Sequence, residues 1–322
     1  MKALVQDRYG PPLEVLRFAD VAEPTLGPTD VLVDVEAVGI NAADWHITTG
    51  EPRLARVALG LRRPTRRIPG SDVAGRVGAV GTAVSAFAPG DPVVGIVQGG
   101  ALAERVAVPV ERLVARPPDV DAVTAASIPL ASTTALHAIR YVAQVSTGQR
   151  VLVTGASGGV GSAAVQLATA AGAHVTGVCR TENVDLVRSL GAAAVIDRTR
   201  EPVPGDGPYD VIVHVAGHLR LRDLRRALTS TGTLVSVTGD GGPWGGPIPL
   251  MLAMRLGDLV TSQRLRTVVA PERAEDVRTL LDAHAEGALT PPIDRTYALA
   301  EGAAAIDHVW RGRTLGKVVV TV

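Results

Sequence analysis

The hydrophobic positions of this chain change their rhythm near residue 119. Before that point Val31, Val33 and Val35 alternate with Leu32, Asp34 and Glu36, the period-two pattern of a strand with one buried face. Gly70-Ser71-Asp72-Val73-Ala74-Gly75-Arg76-Val77 and Ala103-Glu104-Arg105-Val106-Ala107-Val108 read as further strands, and Pro89-Gly90-Asp91-Pro92 reads as a turn into Val93-Val94-Gly95. A β-rich lobe is expected over residues 2–118, with Pro117-Pro118 as a linker. Beyond it, small-residue helices alternate with short apolar strands, which predicts a doubly wound parallel sheet. Helical character spans 122–141 with an interruption at Pro129. Strands are expected at 173–179, 194–196, 209–215 and 232–237, with helices at 183–190 and 221–228. A helix over 275–286 closed by Gly287, a second helix ending near 306–310 and a closing strand at 317–322 return to the style of the first lobe.

The strongest local pattern lies at Arg150-Val151-Leu152-Val153-Thr154-Gly155-Ala156-Ser157-Gly158-Gly159-Val160-Gly161. An apolar strand turns abruptly into a helix through small residues. Ala156-x-Gly158-x-x-Gly161 is the dinucleotide fingerprint with Ala in the place of its first Gly. Gly155, Ala156, Ser157, Gly158, Gly159, Val160 and Gly161 are therefore expected at a pyrophosphate, facing the free amides of the helix start. The competing reading is a Gly-rich turn that binds nothing. Loops at the carboxyl ends of the later strands, Ala216-Gly217 and Thr238, complete the expected cofactor site.

Composition narrows the classes. The 322 residues suffice for about two domains, and 46% apolar with 20% charged residues describes an ordinary globular protein. Formal net charge is zero, which argues against a nucleic-acid or membrane surface driven by overall charge. The single cysteine, Cys179, excludes an intramolecular disulfide and a four-cysteine zinc lobe. Met1-Lys2-Ala3-Leu4-Val5 runs directly into a strand pattern, and 248–256, the most apolar stretch, contains Pro249 and Arg255. A cytoplasmic protein is the expectation.

Gly39-Ile40-Asn41-Ala42-Ala43-Asp44, Gly70 to Gly75, Pro89-Gly90-Asp91, Pro129-Leu130-Ala131-Ser132-Thr133-Thr134-Ala135, the glycine turn and Gly316-Lys317-Val318-Val319 follow one another along the chain. On these motifs the chain resembles, over essentially its whole length, the zinc-independent quinone oxidoreductase branch of the medium-chain dehydrogenase/reductase superfamily. The resemblance implies an α/β protein: a GroES-like β-rich catalytic domain (1–120 and 266–322) and a Rossmann domain (121–265). It also implies a nicotinamide cofactor, Lys317 among the cofactor residues, a small-molecule substrate and a homodimer. The short-chain dehydrogenase alternative requires a Tyr-x-x-x-Lys, and neither Lys2 nor Lys317 follows a Tyr at that spacing. The zinc-dependent alternative requires ligands where Asn41 and Ser71-Asp72 stand. A metal-free site is expected, with hydrogen-bond donors stabilising negative charge.

Cys179-Arg180-Thr181 follows the second strand of the Rossmann pattern, where an NAD enzyme usually carries an acid. A guanidinium there suits a 2′-phosphate, so NADP(H) is expected on Arg180 and Thr181. The alternative leaves Arg180 solvated and gives the ribose to Glu182. By resemblance, Asn41, Asp44 and Thr134 fall near nicotinamide and substrate. A helix cap is the competing reading of Asn41. Asp44 is favoured as structural, since a carboxylate beside a forming enolate repels it. His46 is a candidate proton donor or a packed neighbour of Trp45. His214 stands where the family commonly has an acid. Arg53, Arg56, Arg62, Arg63, Arg66 and Arg67 form a basic segment, read as a solvated loop or as recognition of a phosphate-bearing acyl carrier. The leading reading is NADPH-dependent reduction of a quinone or enone. A ketone or aldehyde reductase, and an NADPH-binding protein or cyclase without hydride transfer, are the alternatives.

Overall fold

The computed structural model describes residues 1–205, 207–217, 219–237, 244–259 and 261–322. Thr238, expected at the cofactor, lies outside the described residues. The chain forms two compact units, Met1–Thr133 with Pro271–Ala283 and Ile293–Val322, and Thr134–Ala270 with His284–Pro292.

The first unit opens with the strands β1 (Lys2–Val5), β2 (Arg17–Asp20), β3 (Asp30–Ile40), β4 (Asp72–Val80), β5 (Pro92–Ile96), β6 (Arg105–Pro109) and β7 (Leu113–Ala115). Along β3, Val31, Val33 and Val35 are buried while Leu32, Asp34 and Glu36 are half-buried, as the alternation predicts. Its core joins these valines to Val73, Val93, Val106 and Leu113. The unit runs past the expected linker to Thr133. Two features account for this: the buried Asp72 carboxylate accepts from the Leu130 N–H at 2.9 Å, and the helix Ala122–Ser127, capped by Asp121 accepting from Thr124 N–H at 3.0 Å, packs on β3 and β4.

The second unit contains β8 (Arg150–Thr154), β9 (His174–Cys179), β10 (Ala194–Asp197), β11 (Tyr209–His214), β12 (Leu228–Ser236) and β13 (Arg264–Thr267). They form one sheet in the order β10-β9-β8-β11-β12-β13, every pair parallel. This is the doubly wound dinucleotide order, whose strand sequence reverses between β8 and β11. Val151, Leu152 and Val153 are fully buried, as a strand covered on both faces requires. The helix expected over 221–228 stops at Arg226, because Leu228 pairs with Tyr209 and opens β12.

The return supplies β14 (Ile293–Ala298) and β15 (Lys317–Thr321) to the first unit. β15 lies antiparallel to β3 with Val318 opposite Ile40, and parallel to β14.

Candidate active site

In the first unit, the end of β3 and the helix Ala42–Thr49 enclose a buried polar network. Asn41 occupies the N-cap position in extended conformation. The capping hydrogen bond runs from the other partner: Asp44 Oδ2 accepts from the Asn41 N–H at 2.8 Å. Asp44 Oδ1 accepts from Gly70 N–H at 3.1 Å and from the Ser71 hydroxyl at 3.2 Å. The Asn41 amide faces elsewhere. Its Nδ2 donates to Gly39 O at 3.2 Å and to Asp72 Oδ2 at 2.9 Å, and its oxygen accepts from Lys317 Nζ. Lys317 also donates to Ile40 O at 3.1 Å and lies 3.3 Å from Asp72 Oδ2.

This geometry changes two expectations. Both amide hydrogens of Asn41, expected as a donor to substrate, are engaged within the protein by Gly39 and Asp72. Lys317, expected among the cofactor residues, is 3% exposed and gives its ammonium hydrogens to three protein oxygens. Asp44 and Asp72 are fully buried. Burial raises the Asp44 pKa from 3.8 to about 6; the Asn41 N–H bond opposes this and the Asp72 charge adds to it. Burial likewise raises the Asp72 carboxyl, against the pull of the Lys317 ammonium.

His46 is half-buried on the same helix. Its Nδ1 lies 2.7 Å from Glu51 O. A carbonyl only accepts, so Nδ1 carries a proton and donates it to Glu51 O. The ring meets Trp45 and Trp310 edge-on at 5.2 and 5.6 Å, and those two indoles stack. In the basic segment, Arg56 donates to Gly50 O and lies over Tyr9, Arg66 donates to Gln98, and Arg67 pairs with Asp7.

In the second unit, β8 feeds the glycine turn and the helix Gly159–Ala170. Gly158 occupies the N-cap of that helix, so its first N–H groups have no side-chain acceptor there. A Cβ on Gly161 would stand 2.0 Å from Gly155 O, so only Gly allows the helix to start this close to the turn. Ser157 Oγ accepts from Asn183 Nδ2 at 2.8 Å, and Ala156 N–H donates to Val178 O at 3.0 Å. The turn is thereby anchored to β9. A turn closed to a Cβ at Gly161, leading into a helix start whose N-cap offers no side-chain acceptor, fits a dinucleotide pyrophosphate.

Past β9, Arg180 is 29% exposed, with its guanidinium 3.9 Å from Glu182. The Thr181 hydroxyl donates to Asp197 Oδ2 at 2.6 Å and lies 2.7 Å from the Thr199 hydroxyl. Hydrogen bonds from Thr181 and Thr199 hold the Asp197 carboxyl below the usual range. An acid thus does stand beside this strand end, brought from β10 by Asp197 pairing with Cys179. No motif announced it. Ala216 and Gly217 are exposed after β11. Thr134 is half-buried on the helix Pro129–Leu136, and its neighbour Thr133 is buried with a hydroxyl that has no hydrogen-bond partner among the described residues.

Comparison with known proteins agrees with this arrangement. Residues 27–118 match the alcohol dehydrogenase GroES-like domain and residues 190–320 the zinc-binding dehydrogenase family. The chloroplastic quinone-oxidoreductase QR1 of Triphysaria versicolor is 33% identical, covering 99% of this chain and 98% of its own. The quinone oxidoreductase structure from Coxiella burnetii superposes with a TM-score of 0.88 at 26% identity, covering 100% and 99% of the two chains. A mycobacterial structure complexed with NADPH superposes with a TM-score of 0.84 at 28% identity over the full length of both.

Proposed function

The chain belongs to the quinone oxidoreductase branch of the medium-chain dehydrogenase/reductase superfamily, and from that premise we propose that it reduces a quinone or an enone-type double bond with NADPH. The observation that carries the reading is the glycine turn, with its Cβ-excluding contact between Gly161 and Gly155, at the start of a helix with no side-chain cap. Bound there, the dihydronicotinamide would supply the hydride. Gly155 to Gly161 would hold the pyrophosphate, and Arg180 the 2′-phosphate.

Reduction leaves negative charge on the substrate oxygen, which hydrogen-bond donors or water must meet. The Asn41 amide is committed to Gly39 and Asp72, so its role in this reading is to hold the helix start carrying Asp44 and His46. Thr134 remains the proposed side-chain donor. The zinc-independent reading is supported by Lys317, whose ammonium already sits among the Asn41, Asp72 and Ile40 oxygens that a cation would seek. A cytoplasmic homodimer completes the proposal. Among the described residues no helix is long and apolar enough to cross a membrane.

The test is consumption of NADPH and NADH, each with a quinone, an enone and an aldehyde. Turnover with the quinone or enone supports the reading. Turnover confined to the aldehyde, or cofactor binding without turnover of any of the three, overturns it.

A further inference from the structure

β8 and β11 end side by side where the strand order reverses, and Thr154 is in register with His214. Both are buried, at 1% and 2% exposure. Thr154 Oγ1 lies 2.9 Å from His214 Nδ1, 3.1 Å from the Val215 nitrogen and 3.4 Å from the Ala216 nitrogen. Backbone N–H groups only donate, so both oxygen lone pairs of Thr154 face the 215–216 loop. The hydroxyl proton therefore points at His214 Nδ1, and the neutral imidazole carries its own proton on Nε2. One hydroxyl thus joins three groups.

The next residues make contact as well. Gly155 has φ +65, and a Cβ there would come within 2.9 Å of the Ala216 Cβ. The turn that starts the cofactor cradle and the loop that follows β11 are thus packed together, with Thr154 as their hydrogen-bonded link.

We propose that Thr154 and His214 are a positioning pair that sets the 215–217 loop against the glycine turn and so fixes the shape of the nicotinamide-cofactor site. The inference rests on the cofactor reading above. His214 orients the Thr154 hydroxyl by accepting its proton; Thr154 then offers both lone pairs to the loop. Without the oxygen, two N–H groups beside a buried position lose their acceptor, and the loop is free to shift.

The experiment measures binding of NADPH and NADH by fluorescence titration, together with amide hydrogen exchange at Val215 and Ala216 in the cofactor-free protein. Thr154→Val keeps the shape and removes the oxygen; it should weaken binding about tenfold, the effect of one lost hydrogen-bond acceptor, and speed exchange at both amides. Thr154→Ser should restore both readouts, as should His214→Asn, whose amide oxygen can accept the hydroxyl proton. His214→Leu should fail on both. Wild-type-like exchange and affinity in Thr154→Val overturns the proposal, as does equal loss in Thr154→Val and Thr154→Ser. If Thr154→Val does not fold, the contrast of His214→Asn with His214→Leu decides, and equal behaviour of those two overturns the pair. Failure of the wild type to bind either cofactor overturns the cofactor reading itself, a result distinct from any difference between variants.

Discussion

The Lys317 ammonium donates to the Asn41 amide oxygen across 276 positions of sequence. It is the cation beside two fully buried carboxylates, Asp72 directly and Asp44 through Asn41. Removing one partner of such a buried group leaves charge uncompensated, at a typical cost of about 3 to 5 kcal/mol. Lys317→Met should therefore lower stability by that order in denaturant unfolding. The loss should be smaller in mild acid, where Asp72 can take up a proton. A loss below 1 kcal/mol, the range of an exposed pair, would show that the ammonium is not held as described.

Asn41→Ala removes hydrogen bonds to a buried carboxylate and a buried ammonium, each worth about 1.5 to 3 kcal/mol. The expected result is a lowered melting temperature accompanied by lowered turnover. Strongly lowered turnover at an unchanged melting temperature would instead assign the amide a direct role at the substrate.

Asp44 gives a pH dependence opposite to that of a salt-bridged carboxylate. Its folded pKa of about 6 lies above the ordinary 3.8, so between those values the folded chain holds a proton that the unfolded chain has released. Stability from this group is present below the unfolded pKa and is lost as pH rises through the folded one. The shift corresponds to about 3 kcal/mol. Relative to Asp44→Asn, the wild type should be more stable at pH about 4 than at pH about 7; a difference constant with pH would contradict a folded pKa raised by burial.

Arg180 and Glu182 form a loose pair at the rim, 3.9 Å apart, and such exposed pairs hold little energy. A phosphate would compete well for the guanidinium. Arg180→Ala should weaken NADPH binding by roughly tenfold to a hundredfold and leave NADH nearly unchanged. Equal loss for both cofactors would show that Arg180 does not read the phosphate, and would direct attention to Thr181, Asp197 and Thr199.

The Nδ1–H of His46 is engaged by Glu51 O and is not free to protonate a substrate. His46→Gln is expected to leave the pH profile of kcat unchanged, with solvent supplying the proton. Loss of one limb of that profile would identify the imidazolium as the donor.

What the sequence determined by itself was local. The alternation through Val31, Val33 and Val35, the apolar run Val151-Leu152-Val153 and the small residues of the glycine turn each express a backbone requirement within a few positions. They suffice for a β-rich lobe, a doubly wound unit and a cofactor cradle. Elements with weaker patterns, such as β13 and β14, had no local signal and form by pairing with neighbours already in place. The partners of polar side chains were likewise beyond reach. Asn41 reads as a donor, with a cap as the alternative, until β15 pairs with β3; Val318 opposite Ile40 then brings Lys317 to Asn41. Asp197 is invisible beside Thr181 until β10 pairs with β9, and His214 is an unexplained histidine until β11 pairs with β8 and meets Thr154. In each case strand register decides the chemistry, because a hydrogen bond acts over about 3 Å and only the tertiary fold brings distant residues that close.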